Sequence, residues 1–180
     1  GVGFQPDWVW LKERSGTEYH NFYDVVRGVT KRLSTQPAGA AQTTISGLTA
    51  FGSDGFTVGA ADTANQNSQS FVAWNWKETA DAGFDIVSYT GTGSNRTVAH
   101  NLGVVPQMII VKRYNDGTAS WMVYHQSLGN NKYLSLDATA AEDTGHWNST
   151  SPTASVFSVD TDQRVNANGA SYIAYVFAQK

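Results

Sequence analysis

The chain has 180 residues, 41% of them hydrophobic and 15% charged, with a formal net charge of −3 and no cysteine. Such a length fits one domain or two small ones. The mild negative balance and scattered basic residues argue against a nucleic-acid partner, and the missing thiols exclude disulfides and cysteine metal sites.

No apolar run approaches the roughly 18 residues of a membrane helix, so membrane insertion is not expected. Helical periodicity is nearly absent. Short β-branched and aromatic runs alternate with Gly, Ser, Thr and Asn, the pattern of an all-β domain. Residues 6–13 read as the first strand, entered through Pro6 and carrying Trp8, Trp10 and Lys12. Residues 19–26 read as the second, and Arg27-Gly28 turns the chain into Thr30-Lys31-Arg32-Leu33-Ser34. A long loop is expected over 36–53, with Ile45, Leu48 and Phe51 as its apolar anchors. A short strand follows at 55–58, then a polar turn over 62–69 in which Asn65 and Asn67 suit left-handed backbone. Phe71-Val72-Ala73-Trp74-Asn75-Trp76 closes the segment as a strand.

The chain then says nearly the same thing again. Pro106 stands 100 positions after Pro6, and Met108-Ile109-Ile110-Val111-Lys112 repeats the apolar run and its lysine. From Tyr23 and Tyr124 the offset becomes 101, and Gly28/Gly129, Lys31/Lys132, Leu33/Leu134, Phe56/Phe157, Asn65/Asn166 and Trp74/Tyr175 all keep it. Two unrelated β-sequences would not hold one offset through so many turn and core positions. Residues 1–79 are therefore read as a first repeat unit, incomplete at its N-terminus, and 80–180 as a leader hairpin plus the second unit. The leader pairs residues 83–93 with Thr97-Val98-Ala99-His100. Several strands are apolar on both faces, and a unit this small buries little surface. The expected fold is all-β: an antiparallel β-sandwich of two tandem pseudo-repeats that share one core, with Trp74 and Tyr175, and Phe56 and Phe157, in equivalent core positions.

Chemistry-bearing constellations are weak. The pairs Gly1/Gly3 and Gly91/Gly93 precede no helix pattern, so they read as turns and not as phosphate loops. His20, His100, His125 and His146 lack metal-ligand spacing. Asp160-Thr161-Asp162, with Glu142 and Asp143, supplies only part of the six to eight oxygens calcium needs, and as paired carboxylates these acids have no fixed separation. No catalytic residue, metal site or cofactor is expected. Trp147 is more informative: it sits in His146-Trp147-Asn148 within a second long loop, 138–154. A ring flanked by amide and imidazole suits a sugar, whose C–H face stacks while its hydroxyls bond. His146, Trp147 and Asn148 are the candidate ligand-binding residues, with Tyr114 a fourth from a separate turn. The alternative is that Trp147 folds back as its loop's plug.

The pattern Pro-x-(apolar)₄-Lys, then Tyr-(x)₄-Gly-(x)₂-Lys-x-Leu-Ser, then Phe-x-Val and an aromatic-x-Ala-aromatic strand resembles a repeated domain of tail-fibre-like virion proteins of marine bacteriophages. The leader Phe84-Asp85-Ile86-Val87-Ser88-Tyr89-Thr90-Gly91-Thr92-Gly93 and His100-Asn101-Leu102-Gly103 resemble it too. The resemblance covers nearly the whole chain and implies a virion-surface or extracellular setting, association with other virion or surface proteins, and homo-oligomers, with a homotrimer as the expected form. The expectation is a non-enzymatic module of a tail fibre or similar appendage that helps bind a host-surface glycan. A purely structural capsid decoration or self-assembling surface filament is the alternative, and a polysaccharide depolymerase domain a third reading.

Overall fold

The computed structural model describes residues 1–35, 39–117 and 119–179. The chain divides into two compact units, Gly1–Glu78 and Thr79–Lys180. The first contains β1 (Trp8–Glu13), β2 (Asn21–Asp24), β3 (Lys31–Ser34), β4 (Gln42–Thr43), β5 (Leu48–Gly52), β6 (Gly55–Val58), the single helical turn α1 (Asp62–Asn65) and β7 (Phe71–Trp76). The second contains β8 (Phe84–Thr90), β9 (Arg96–Ala99), β10 (Met108–Arg113), β11 (Met122–His125), β12 (Lys132–Ser135), β13 (Asp143–Thr144), β14 (Val156–Val159), α2 (Gln163–Asn166) and β15 (Ser171–Phe177). All strand pairs among the described residues are antiparallel.

Each unit is a two-layer sandwich. In the first, the sheet β4-β3-β2-β1-β7 lies on one side and the hairpin β5-β6 on the other. Val9, Leu11 and Tyr23 from the sheet meet Leu48, Phe56 and Val58 from the hairpin. In the second, the sheet runs β13-β12-β11-β10-β15-β8 and the opposing pair is β14-β9. Ile109, Val111, Met122 and Tyr124 meet Val98, Phe157 and Val159. Alternation explains the layering: successive strand residues face opposite sides, so Val9 and Leu11 enter the core while Trp8 and Trp10 take the other face. Burying each large apolar side chain in these cores contributes about 1.5–3 kcal/mol.

The same strand order and register recur in the two units. Trp8↔Trp76 and Trp10↔Trp74 in the first correspond to Met108↔Phe177 and Ile110↔Tyr175 in the second. The prolines sit buried just outside β1 and β10, where a residue without an N–H costs no ladder bond. After each, the next amide reaches the end of the closing strand: Asp7 N–H donates to Trp76 O, and Gln107 N–H to Phe177 O, both at 2.8 Å.

Four details differ from the sequence expectations. First, the leader is not a hairpin. β8 pairs with β15, and β9 pairs with β14 in the other layer. The crossing between them is pinned by the fully buried Asn166: its Nδ2 donates to Ser94 O at 2.6 Å and Asp160 O at 2.7 Å, and its Oδ1 accepts from Thr92 N–H at 2.8 Å. Second, none of Asn65, Asn67, Asn166 and Asn168 has positive φ; those positions are taken by Ser68 and Gly169. Third, the first long loop is partly ordered as β4 and β5, with Gly55 (φ +144°) closing a tight turn of Ser53 and Asp54 between β5 and β6; its residues 36–38 lie outside the described set. Fourth, the equivalent aromatics differ in burial. Tyr175 and Phe157 are buried, whereas Trp74 is 44% exposed and Phe56 half-buried. For the first pair the sheets differ at the same place: β15 has a strand on each side, and β7 pairs with β1 alone among the described residues.

Candidate functional site

The residues marked by sequence end up mostly inside the protein. The turn holding His146, Asn148 and Ser149 has positive φ at all three residues, a conformation that needs outside support. Trp147 supplies it. Its ring is 2% exposed, lies edge-on to Tyr124 with centroids 5.7 Å apart, and donates Nε1–H to Lys132 O at 2.9 Å. It is the loop's plug, and its face is not open to a ligand. Leu48 does the same for the first unit: Gly59 N–H bonds Gly47 O just as Asp160 N–H bonds His146 O, and Leu48 follows Gly47 into the core as Trp147 follows His146. Phe51 packs beside that core, whereas Ile45 is exposed and anchors nothing.

His146 is also buried, its ring 4.0 Å from that of Tyr133. Burial holds its pKa below the usual histidine value, outweighing the nearby Asp162, whose Oδ1 lies 3.7 Å from Nδ1. Asn148 is half-buried and accepts from Asn95 Nδ2 at 2.7 Å. Tyr114, beyond the end of β10, donates its amide to Ser171 O. It shares no hydrogen bond or ring contact with the other three among the described residues.

The acids are engaged as structure. Asp162 caps α2 by accepting Arg164 N–H at 2.7 Å and pairs with the Arg164 guanidinium. Asp160 accepts the amides of His146 and Asp162, both at 2.8 Å. Glu142 pairs with Lys132, and Asp143 accepts from the Tyr133 hydroxyl. Among the described residues no cluster of three or more His, Cys, Asp or Glu is arranged to hold a metal. His125 is an exposed cap that accepts Ser127 N–H, and His100 is buried, its Nε2 3.1 Å from Thr153 O.

An exposed indole, Trp74, lies on the first unit, on a strand whose alternation marked it only as core. Trp10 on β1 and Trp74 and Trp76 on β7 share one face of the sheet and line a cavity of about 200 Å³. Trp74 stands edge-on to Trp10 with centroids 5.6 Å apart, and Trp76 is tilted 31° from Trp10 at 6.4 Å. Trp10 is fixed by donating Nε1–H to His20 Nδ1 at 2.7 Å. That bond sets the tautomer: Nδ1 accepts, so a neutral His20 carries its proton on Nε2. Burial first, and the Lys12 ammonium second, hold the His20 pKa down. The platform is thus three indoles with an imidazole and an ammonium at its β1–β2 border. Large half-exposed indoles held in place offer flat contact area at little entropic cost.

The second unit carries different residues on the matching face. Ile110, Tyr175 and Phe177 stand in the places of Trp10, Trp74 and Trp76. Trp121 takes the place of His20 and stacks on Tyr175 with an interplanar angle of 18°. Lys112, in the place of Lys12, is fully buried, 5.8 Å from the centre of the Trp121 ring, and donates to Ala119 O.

One family model matches residues 1–180, described as a domain of unknown function, DUF7483. No curated protein and no solved structure matches the chain.

Proposed function

The chain belongs to the domain family DUF7483, and we propose that it is a non-enzymatic recognition module that binds a host-surface glycan through Trp74, with Trp10 beside it. The observation that carries the reading is the exposed Trp74 ring standing edge-on to Trp10 at an apolar cavity. Exposed apolar clusters of this kind on charge-poor surfaces mark ligand or partner sites. Indole faces receive the C–H side of a pyranose, while the Lys12 ammonium and the His20 Nε2–H donate to its hydroxyls. The setting, a tail fibre or similar virion-surface appendage, rests on the resemblance of the repeated motifs to phage tail-fibre-like proteins. A purely structural surface protein is the second reading, favoured by the uncharged open edge of β7.

The test is a glycan array on the whole chain, followed by titration of the best ligand against wild type and Trp74→Ala. Binding should weaken by about tenfold or more on losing the stacking ring. Because Trp74 is already 44% exposed, the thermal midpoint should move by no more than about 2–4 °C. An array with no hit, or a Trp74→Ala protein that binds as wild type does, rejects this site. Release of reducing sugar from a bound polysaccharide would reject the non-enzymatic assignment.

A further inference from the structure

We propose that the free edge of β7 is a docking site for β7 of a second copy of this chain, forming a two-fold antiparallel contact that joins two five-stranded sheets into one.

The edge can be read residue by residue. Arg14 N–H donates to Ser70 O and Asp7 N–H to Trp76 O, so the even-numbered residues of β7 turn their backbone groups toward β1. Phe71, Ala73 and Asn75 turn theirs the other way, where no strand pairs with β7 among the described residues. In the second unit the matching residues Tyr172, Ala174 and Val176 are paired with Tyr89, Val87 and Asp85 of β8. The same sheet design therefore accepts a strand at this edge.

Two side-chain observations mark the edge as incomplete. Asn75 bends its Nδ2 back to Ala73 O at a long 3.4 Å, occupying a carbonyl that a neighbouring strand would use. Its Oδ1 is buried with no hydrogen-bond partner among the described residues. Edge strands in monomeric proteins are normally blunted by charge, proline, a bulge or short length. β7 has six residues, FVAWNW, with no charge and no proline, and it pairs with β1 without a bulge.

The occupant follows from symmetry and from the competing edges. The outward residues are centred on Ala73. Pairing Ala73 with Ala73 of the second copy sets Phe71 opposite Asn75 and Asn75 opposite Phe71. Three pairs exchanging two N–H···O bonds each close every outward group on both strands. The small side chain falls on the axis, no like charges meet, and each exposed Trp74 gains Val72 of the partner beside it. The contact is isologous and closes on itself. The edge of β8 is a poorer partner. Its Phe84 already exchanges backbone bonds with Thr79, and its Thr90 O accepts from Arg96 Nη1 at 2.9 Å. β4 and β13 have only two residues each.

Sedimentation velocity of the full chain, from low to high micromolar concentration, tests this. Wild type should pass from monomer to dimer. Ala73→Pro removes only an outward N–H, so β1 keeps its ladder, and the variant should stay monomeric. Val72→Glu, opposite Lys12 in the β1 ladder, sets a carboxylate against the partner's Trp74 and should do the same should Ala73→Pro fold poorly. Circular dichroism must show each variant folded. A wild type that stays monomeric overturns the proposal, and so does a folded variant that still self-associates as wild type does. A trimer insensitive to both substitutions overturns it as well. Glycan binding is scored separately on each variant, so failure of the dimer and failure of the sugar site remain distinguishable.

Discussion

Replacing Trp147 with alanine should unfold the second unit's loop from within. The ring is 2% exposed and lies in the core cluster with Tyr124, Phe157 and Val165. Emptying a buried site of this size costs about 3–5 kcal/mol. The carbonyl of Lys132 also loses the indole donor held at 2.9 Å, a further roughly 1 kcal/mol. For a chain of 150–250 residues each kcal/mol moves the midpoint by about 2–4 °C, so a fall of roughly 8–24 °C is expected. Near-ultraviolet circular dichroism during thermal unfolding reads it. Trp147→Phe separates the terms, since it keeps most of the packing and loses the hydrogen bond, and should cost about 1–2 kcal/mol. Should Trp147→Ala melt within a few degrees of wild type, or no lower than Trp74→Ala, the plug assignment is wrong and the loop is anchored elsewhere.

Two further outcomes follow from burial and titration. Phe157→Ala should cost about 3–5 kcal/mol, and Phe56→Ala at the matching but half-buried position roughly half that; equal costs in denaturant titrations would show that the exposure difference carries no energy. Acid should destabilise the fold earlier than carboxylate protonation alone would. His20 and His146 are both held below the ordinary histidine value of about 6.5, chiefly by burial. A group depressed in the folded state adds stability that is full above its unfolded pKa and lost as pH falls through its folded one. The Trp10–His20 bond fails in that window, because a protonated Nδ1 cannot accept. The thermal midpoint should therefore fall as pH drops below the ordinary histidine value of about 6.5, and His20→Gln should flatten part of that fall. A midpoint that is constant or rises there contradicts the assignment.

Much of the fold was legible because its signals are local. A proline, four apolar residues and a lysine mark β1 and β10 wherever they pair, and Gly28 and Gly129 mark the turns that both units share. What the sequence could not supply was the choice of neighbour. Residues 97–100 read correctly as extended, but nothing local says that β9 joins β14 in place of β8; that decision rests on Asn166, more than 70 positions away, gripping the crossing. The candidate site failed for a related reason. Asn148 and His146 beside Trp147 look like sugar ligands in one dimension, yet positive φ turns their backbone so that the indole points inward. Trp74 looked like core because apolarity states a preference for burial and not the exposure it receives, here 44%. One signal did distinguish the strip of Trp10, Trp74 and Trp76: the matching positions in the second unit carry Ile110, Tyr175 and Phe177, so the first unit holds three indoles where its counterpart holds none.

That asymmetry ties the two proposals together. The second unit spends β8 on the edge of its closing strand and Trp121 on the face beside Lys112, and every residue from Tyr172 to Val176 is fully buried. The first unit keeps the same sheet order but, among the described residues, has no strand at that edge, and it holds His20 where Trp121 stands. On the two proposals its β7 would serve twice: through the exposed Trp74 ring for a flat apolar ligand, and through the outward amides of Phe71, Ala73 and Asn75 for another strand. The two uses do not compete. Side chains at Trp74 and Trp76 project from the sheet, while the outward amides of Phe71, Ala73 and Asn75 lie in its plane. Pairing two copies through β7 would bring two Trp74 rings to the same face of one continuous sheet, close to the two-fold axis. A glycan presenting repeated units would then meet two platforms at once, and the gain in avidity would come from geometry alone, without any new contact to sugar.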